Sequence, residues 1–76
     1  MLMYIIKNNL PKAKKHLSEH PTRDDAVKTF WRIYSWVKKS YPTSITLRND
    51  IDKDARGTIK TEIDGFYYYV ELFKNE

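Results

Sequence analysis

Asp64-Gly65 stands between two alternating runs, TIKTEI (58–63) and FYYYVELF (66–73), and this juxtaposition restricts the fold more than any other feature of the chain. An Asp-Gly pair so placed predicts a two-residue hairpin loop, because both turn residues must take positive φ. The loop also sets the register: Ile63 opposite Phe66, Glu62 opposite Tyr67, Thr61 opposite Tyr68, Lys60 opposite Tyr69 and Ile59 opposite Val70. Ile59, Thr61, Ile63, Phe66, Tyr68, Val70 and Leu72 then share the face expected to pack on a helix. Lys60, Glu62, Tyr67, Tyr69, Glu71 and Phe73 share the other. Of the three consecutive tyrosines, Tyr68 goes to the core, and Tyr67 and Tyr69 are left with Lys60 as a candidate partner-binding patch. The competing reading is a solvated face whose tyrosines simply favour strands.

The helix that should cover this hairpin is TRDDAVKTFWRIYSWVKKSYP (22–42). Thr22 is its expected cap, Asp24 and Asp25 complement the positive end of the dipole, Lys38 and Lys39 the negative end, and Pro42 stops it. Steps of about 100° gather Ala26, Phe30, Ile33, Tyr34, Val37 and Tyr41 on one apolar face, with Val27 beside it. Trp36 falls on the opposite side, among Lys28, Thr29, Arg32 and Lys39. Trp36, Lys28, Arg32 and Lys39 therefore form a candidate partner-binding face, since an exposed ring among cations suits a protein anchor or a base-stacking platform. The competing reading packs Trp36 under the 12–17 segment or against a second copy of the chain.

Before this helix, LMYIIK (2–7) predicts a strand that is apolar on both faces and so paired centrally. NNLPKAKKHLSEHP (8–21) predicts a short helix over 11–19, capped by Asn9, opened by Pro11 and stopped by Pro21, with Leu10, Ala13 and Leu17 inward. Lys12, Lys14 and Lys15 on its outer surface, with Lys7 just before it, form a second candidate binding surface. After the long helix, TSITLRN (43–49) alternates, with Ile45 and Leu47 on one face and Thr46 and Arg48 on the other, and a polar turn leads into the hairpin. The expected architecture is a single α+β domain over 1–76, of order β-α-α-β-β-β: a small, mostly antiparallel sheet with one long and one short helix packed on one face.

Size and charge narrow the function. A chain of 76 residues has room for one small core and little for a cofactor cavity. With no cysteine there is no disulfide, no Cys-based zinc site and no thiol nucleophile, which fits the reducing cytoplasm. The first apolar run is too short to span a membrane, and no membrane partner is expected. Residues 1–49 hold ten Lys and Arg against three acids, a balance of +7, whereas residues 50–76 hold four against seven, −3, together the net +4. The basic part can attract phosphates or an acidic protein surface that the other part repels.

His16-Leu-Ser-Glu-His20 has the letters of a zinc-protease helix, and Asp50, Asp52 and Asp54 have the spacing that opens a calcium loop. The first lacks a third ligand, and Pro21 closes it at once. The second has Ala55 where the turn wants Gly and Thr61 where a bidentate Glu is required. Neither motif carries a metal expectation. No Ser or Thr stands in a recognisable elbow or beside a fixed His, and no Gly-rich phosphate loop exists, so no catalytic residue and no cofactor are assigned.

The order β-α-α-β-β-β, with EHPTRDDAVKTFW in the helices and IKTEIDGFYYYV in the late hairpin, is similar to that of the small RelE/HigB-type messenger-RNA-cleaving toxins. The resemblance implies ribosome or RNA binding by the basic face. Tyr69 and Val70 stand where an arginine is usual in that family, and the chain ends about where a further strand with catalytic residues would follow.

Three functions are therefore in play. The first is a small non-enzymatic inhibitor that docks on a host protein or nucleoprotein complex, such as a defence nuclease. A Lys-, Asn-, Ile- and Tyr-rich chain of this length suits a phage or mobile-element product of the anti-CRISPR or anti-restriction kind. The second is a nucleic-acid-binding module that uses the basic N-terminal part, including Lys7, Lys12, Lys14, Lys15, Arg32 and Lys39, for phosphates. The third is a toxin-like ribonuclease with Lys60 and Tyr69 on its sheet.

Overall fold

The computed structural model describes residues 2–49 and 51–75. Among these described residues, five strands form one antiparallel sheet and a single helix covers one of its faces: β1 (Met3–Asn8), β2 (Leu17–His20), α1 (Arg23–Ser40), β3 (Ile45–Arg48), β4 (Gly57–Ile63) and β5 (Phe66–Asn75). The strand order is β2-β1-β5-β4-β3. β1 lies inside the sheet, between β2 and β5, which explains why its sequence is apolar on both faces. No described helix is long and apolar enough to cross a membrane.

The late hairpin has the register that Asp64-Gly65 imposes, from Ile63 opposite Phe66 to Ile59 opposite Val70. Asp64 and Gly65 take φ of 52° and 84°, the double positive φ of a two-residue turn. Ile59, Thr61, Val70 and Leu72 are buried under α1, and Ile63 and Tyr68 are packed against them. Phe66 differs. It points to the helix side but sits at the hairpin tip, where its ring stays exposed.

α1 begins and ends as its sequence requires. Thr22 Oγ1 accepts the Asp25 N–H at 3.2 Å, Asp24 and Asp25 occupy the first turn, and Lys38 and Lys39 the last. The Tyr41 N–H donates to the Val37 carbonyl to close the C-terminus. Ala26, Phe30, Val37 and Tyr41 are buried against Ile6, Leu10, Ile59, Val70 and Leu72, with Ile33, Tyr34 and Trp31 at the margins.

The expected short helix over 11–19 does not form. Residues 9–16 are a loop, and Leu17–His20 is the edge strand β2, paired with β1 from Tyr4 opposite His20 to Lys7 opposite Leu17. An isolated nine-residue helix lies below the length at which helices hold in water, and Lys12 and Lys15 would have stacked like charges one turn apart. The hairpin instead satisfies the backbone of both segments. Asn8 closes the loop: its Oδ1 accepts the Leu10 N–H at 3.0 Å and its Nδ2 donates to the Lys15 carbonyl at 3.2 Å. The order is thus β-β-α-β-β-β, which departs at its second element from the β-α-α-β-β-β order that is similar to the RelE/HigB-type toxins.

β3 turns Thr46 and Arg48 toward the helix side and leaves Ile45 and Leu47 on the open face, 62% and 67% exposed. The buried Thr61 hydroxyl is the local reason: it is satisfied by Thr46 Oγ1 at 2.9 Å, which Ile45 or Leu47 could not do.

Candidate functional site

A cleft of about 450 Å³ opens between α1 and the β1–β2 loop. Its floor is aliphatic, from Ile6, Leu10 and Ala13, its helix wall is Thr29, Ile33 and Trp36, and the exposed Leu17 is at its rim. Lys12, Lys14 and Lys15 line it from the loop, and Asn8 and Ser18 add polar groups. Because residues 9–16 form a loop and not a helix, Lys12, Lys14 and Lys15 are spread around this depression.

Trp36 is 37% exposed and meets Tyr41 edge to face, with ring centroids 5.9 Å apart at 86°. Tyr41 in turn fixes the loop: its hydroxyl accepts the Lys12 N–H at 3.1 Å, and Lys12 Nζ lies 5.2 Å from its ring centroid. The Trp36 ring and the Lys12 backbone are therefore positioned through one side chain.

The sequence-derived candidates separate into three places. Trp36, Lys12, Lys14 and Lys15 come together in the cleft. Lys28, Arg32 and Lys39 are exposed on α1, with Arg32 and Lys39 one turn to either side of Trp36. Lys7 belongs to the opposite face of the sheet, 5.6 Å above the Phe73 ring. Lys60, Tyr67 and Tyr69 also lie there, with Lys60 beside Tyr69 and Leu47, and Glu62 beside Tyr67 and Ile45. Glu62 accepts the Tyr67 hydroxyl proton, and this bond with the carboxylate's charge raises the Tyr67 pKa above its ordinary 10.0.

The two metal-like motifs take other forms. His16 is in the loop, bonded to the Ala13 carbonyl at 3.2 Å, and His20 is in β2, so the pair is spread along extended chain rather than one helical turn apart. Asp50 lies outside the described residues. Asp52 Oδ1 accepts the N–H groups of Arg56 and Asp54 at 3.0 and 2.9 Å, and these bonds, that to Arg56 foremost, lower its pKa. Its carboxylate thus closes its own turn. Among the described residues, no three His, Cys, Asp or Glu side chains are grouped to hold a metal ion.

The sequence offers His20 only as part of the zinc-like motif and no Ser beside a fixed His; strand pairing brings Ser18 and His20 together. As strand residues two apart they share a face, and the Ser18 hydroxyl lies 2.8 Å from His20 Nε2. Arg48 was also passed over; its guanidinium lies 4.5 Å from the Trp31 ring centroid and 5.1 Å from that of Tyr34. Comparison with protein-family models, with curated proteins and with solved structures finds no match.

Proposed function

We propose that this chain is a small binding protein that docks on a larger protein or nucleoprotein complex, taking an apolar side chain from an acidic segment of its partner into the α1 cleft. One observation carries this reading: Trp36 and three lysines from a separate segment line the same aliphatic-floored cleft. Tryptophan at the edge of an apolar pocket is a frequent energetic anchor, and the lysines would steer and orient carboxylates around it. Five lining residues, Ile6, Leu10, Ala13, Leu17 and Ile33, are aliphatic against one ring, which suits a partner's side chain better than a nucleobase. An inhibitor of the anti-restriction or anti-CRISPR kind acts by such occupancy of a host nuclease or its complex.

A second reading has its own support. The exposed part of Trp36, with Arg32 and Lys39 one turn away on α1, suits a stacked base with phosphate neighbours. One titration separates the two. Fluorescein-labelled acidic peptides, each with a single apolar side chain, and labelled single-stranded oligonucleotides are added to the protein at about 50 and 200 mM salt. Docking on a protein partner predicts peptide binding that falls by about 30-fold with Trp36→Ala and changes less with salt. Oligonucleotide binding that collapses over the same salt range, with no peptide bound, would replace it with the nucleic-acid reading.

A further inference from the structure

Ser18, His20 and Asp25 form one hydrogen-bonded chain whose Ser18 end lines the cleft. Ser18 Oγ is 2.8 Å from His20 Nε2, and His20 Nδ1 is 2.6 Å from Asp25 Oδ2 in the first turn of α1. A carboxylate only accepts, so Nδ1 carries the proton shared with Asp25, and in the neutral ring Nε2 is left to accept the Ser18 hydroxyl proton. The imidazole is held at both nitrogens in a side chain that is 10% exposed, whereas Ser18 lines the cleft. Nucleophile, base and orienting carboxylate thus stand in the spatial order that activates a serine, an arrangement recognised by geometry rather than by position in the chain.

We propose that Ser18 is a nucleophile activated by His20, and that the cleft accepts carboxylic esters whose acyl group is apolar and ends in a negative charge. The aliphatic floor would hold the acyl chain, and Lys12, Lys14 and Lys15 its terminal anion. The backbone offers a donor for the oxyanion. The Asn8 N–H donates to the His16 carbonyl at 2.9 Å, so antiparallel alternation points residues 16, 18 and 20 at β1, and Leu17 and Glu19 away from it. β2 is an edge strand. The Glu19 N–H, which belongs to the residue after the nucleophile, is thereby aimed off the sheet, and that residue's N–H is the one used at nucleophile elbows.

The reaction balances as hydrolysis. Ser18 Oγ bonds to the ester carbonyl carbon as its proton passes to His20 Nε2. The tetrahedral intermediate collapses, its bond to the alcohol oxygen breaks, and His20 returns the proton to that oxygen. Water then attacks the acyl-serine, gives a proton to His20, and releases the carboxylic acid as that proton restores the Ser18 hydroxyl. Asp25 is a positioning residue, since it touches His20 alone in this sequence. The inference shares the cleft with the docking function but does not need the protein partner.

The test combines three measurements. A fluorophosphonate probe should label wild-type protein at Ser18, located by peptide mass. Hydrolysis of p-nitrophenyl hemisuccinate should exceed that of the uncharged butyrate ester and fall about 100-fold or more with Ser18→Ala. The sequence has no cysteine, so Ser18→Cys introduces a single thiol. His20 should make iodoacetamide alkylate it at least about 10-fold faster near pH 6 than the thiol of Ser35→Cys on the exposed side of α1, and Asp25→Asn should move that reactivity to higher pH. No adduct at Ser18, wild-type hydrolysis by Ser18→Ala, or equal reactivity of the two thiols would each overturn the proposal. Asp25→Asn alters no residue that lines the cleft, so peptide binding by that variant reads docking separately.

Discussion

Arg48 stacks its guanidinium on Trp31, 4.5 Å from the ring centroid, and by this contact the edge strand β3 is held to the middle of α1. The same group lies 5.1 Å from Tyr34, whose ring also receives Lys38 Nζ at 5.5 Å. A planar cation between two rings is worth about 1 kcal/mol at a partly exposed site. Arg48→Ala should lower stability by about that amount, and Arg48→Lys by less than half as much as it keeps charge without a plane. Urea unfolding measures both, and an Arg48→Ala midpoint equal to wild type would show that the stack holds nothing.

The chain's two glycines are required for different reasons. Gly65 has φ of 84° with open space around it, so Gly65→Ala should cost about 1–2 kcal/mol through the backbone. Gly57 has no such φ, but a Cβ there would meet Ile51 Cγ1 at 3.0 Å and the Phe30 ring at 3.1 Å. Gly57→Ala should therefore cost about 1–3 kcal/mol by overpacking, and Phe30→Leu should recover part of it as the ring recedes. A double-mutant cycle with no coupling between residues 57 and 30 would contradict this origin.

Ile45 and Leu47 project onto the open face, where their burial contributes little to the isolated chain. Ile45→Thr and Leu47→Thr should each change unfolding free energy by no more than about 0.5 kcal/mol. Thr46→Val should cost more than either, about 1–3 kcal/mol, because it strands the buried Thr61 hydroxyl. Thermal unfolding of the three variants gives the ranking directly.

Tyr67 should titrate above 10.0, and Glu62 sets the shift by accepting its hydroxyl proton. A folded-state value above the unfolded one means that the bond stabilises fully below the unfolded value and is lost as pH rises through the folded one. Glu62→Gln should bring the Tyr67 midpoint down, as followed by NMR of its ring, and flatten the stability loss of the protein on the alkaline side. An unchanged midpoint would remove Glu62 as its cause.

Local signals determined the late hairpin to the residue, since Asp64-Gly65 allows one loop geometry and the loop sets every pair behind it. They likewise determined α1, because Thr22, the early acids, the late lysines and the spacing of Ala26, Phe30 and Val37 all act within one helix. Segment 9–20 was decided elsewhere. Its caps and prolines favour a helix, but its backbone is better satisfied along β1, and pairing over a distance leaves no periodic mark in four residues. The side of the sheet that Ile45 and Leu47 occupy was also settled by partners far along the chain, Thr61 for Thr46 and Trp31 for Arg48. The cleft and the Ser18–His20–Asp25 chain both follow from that one change of segment 9–20 from helix to hairpin: Trp36, the lysines and the three hydrogen-bonding residues were all visible in the sequence, but what brings them together is strand pairing across the fold.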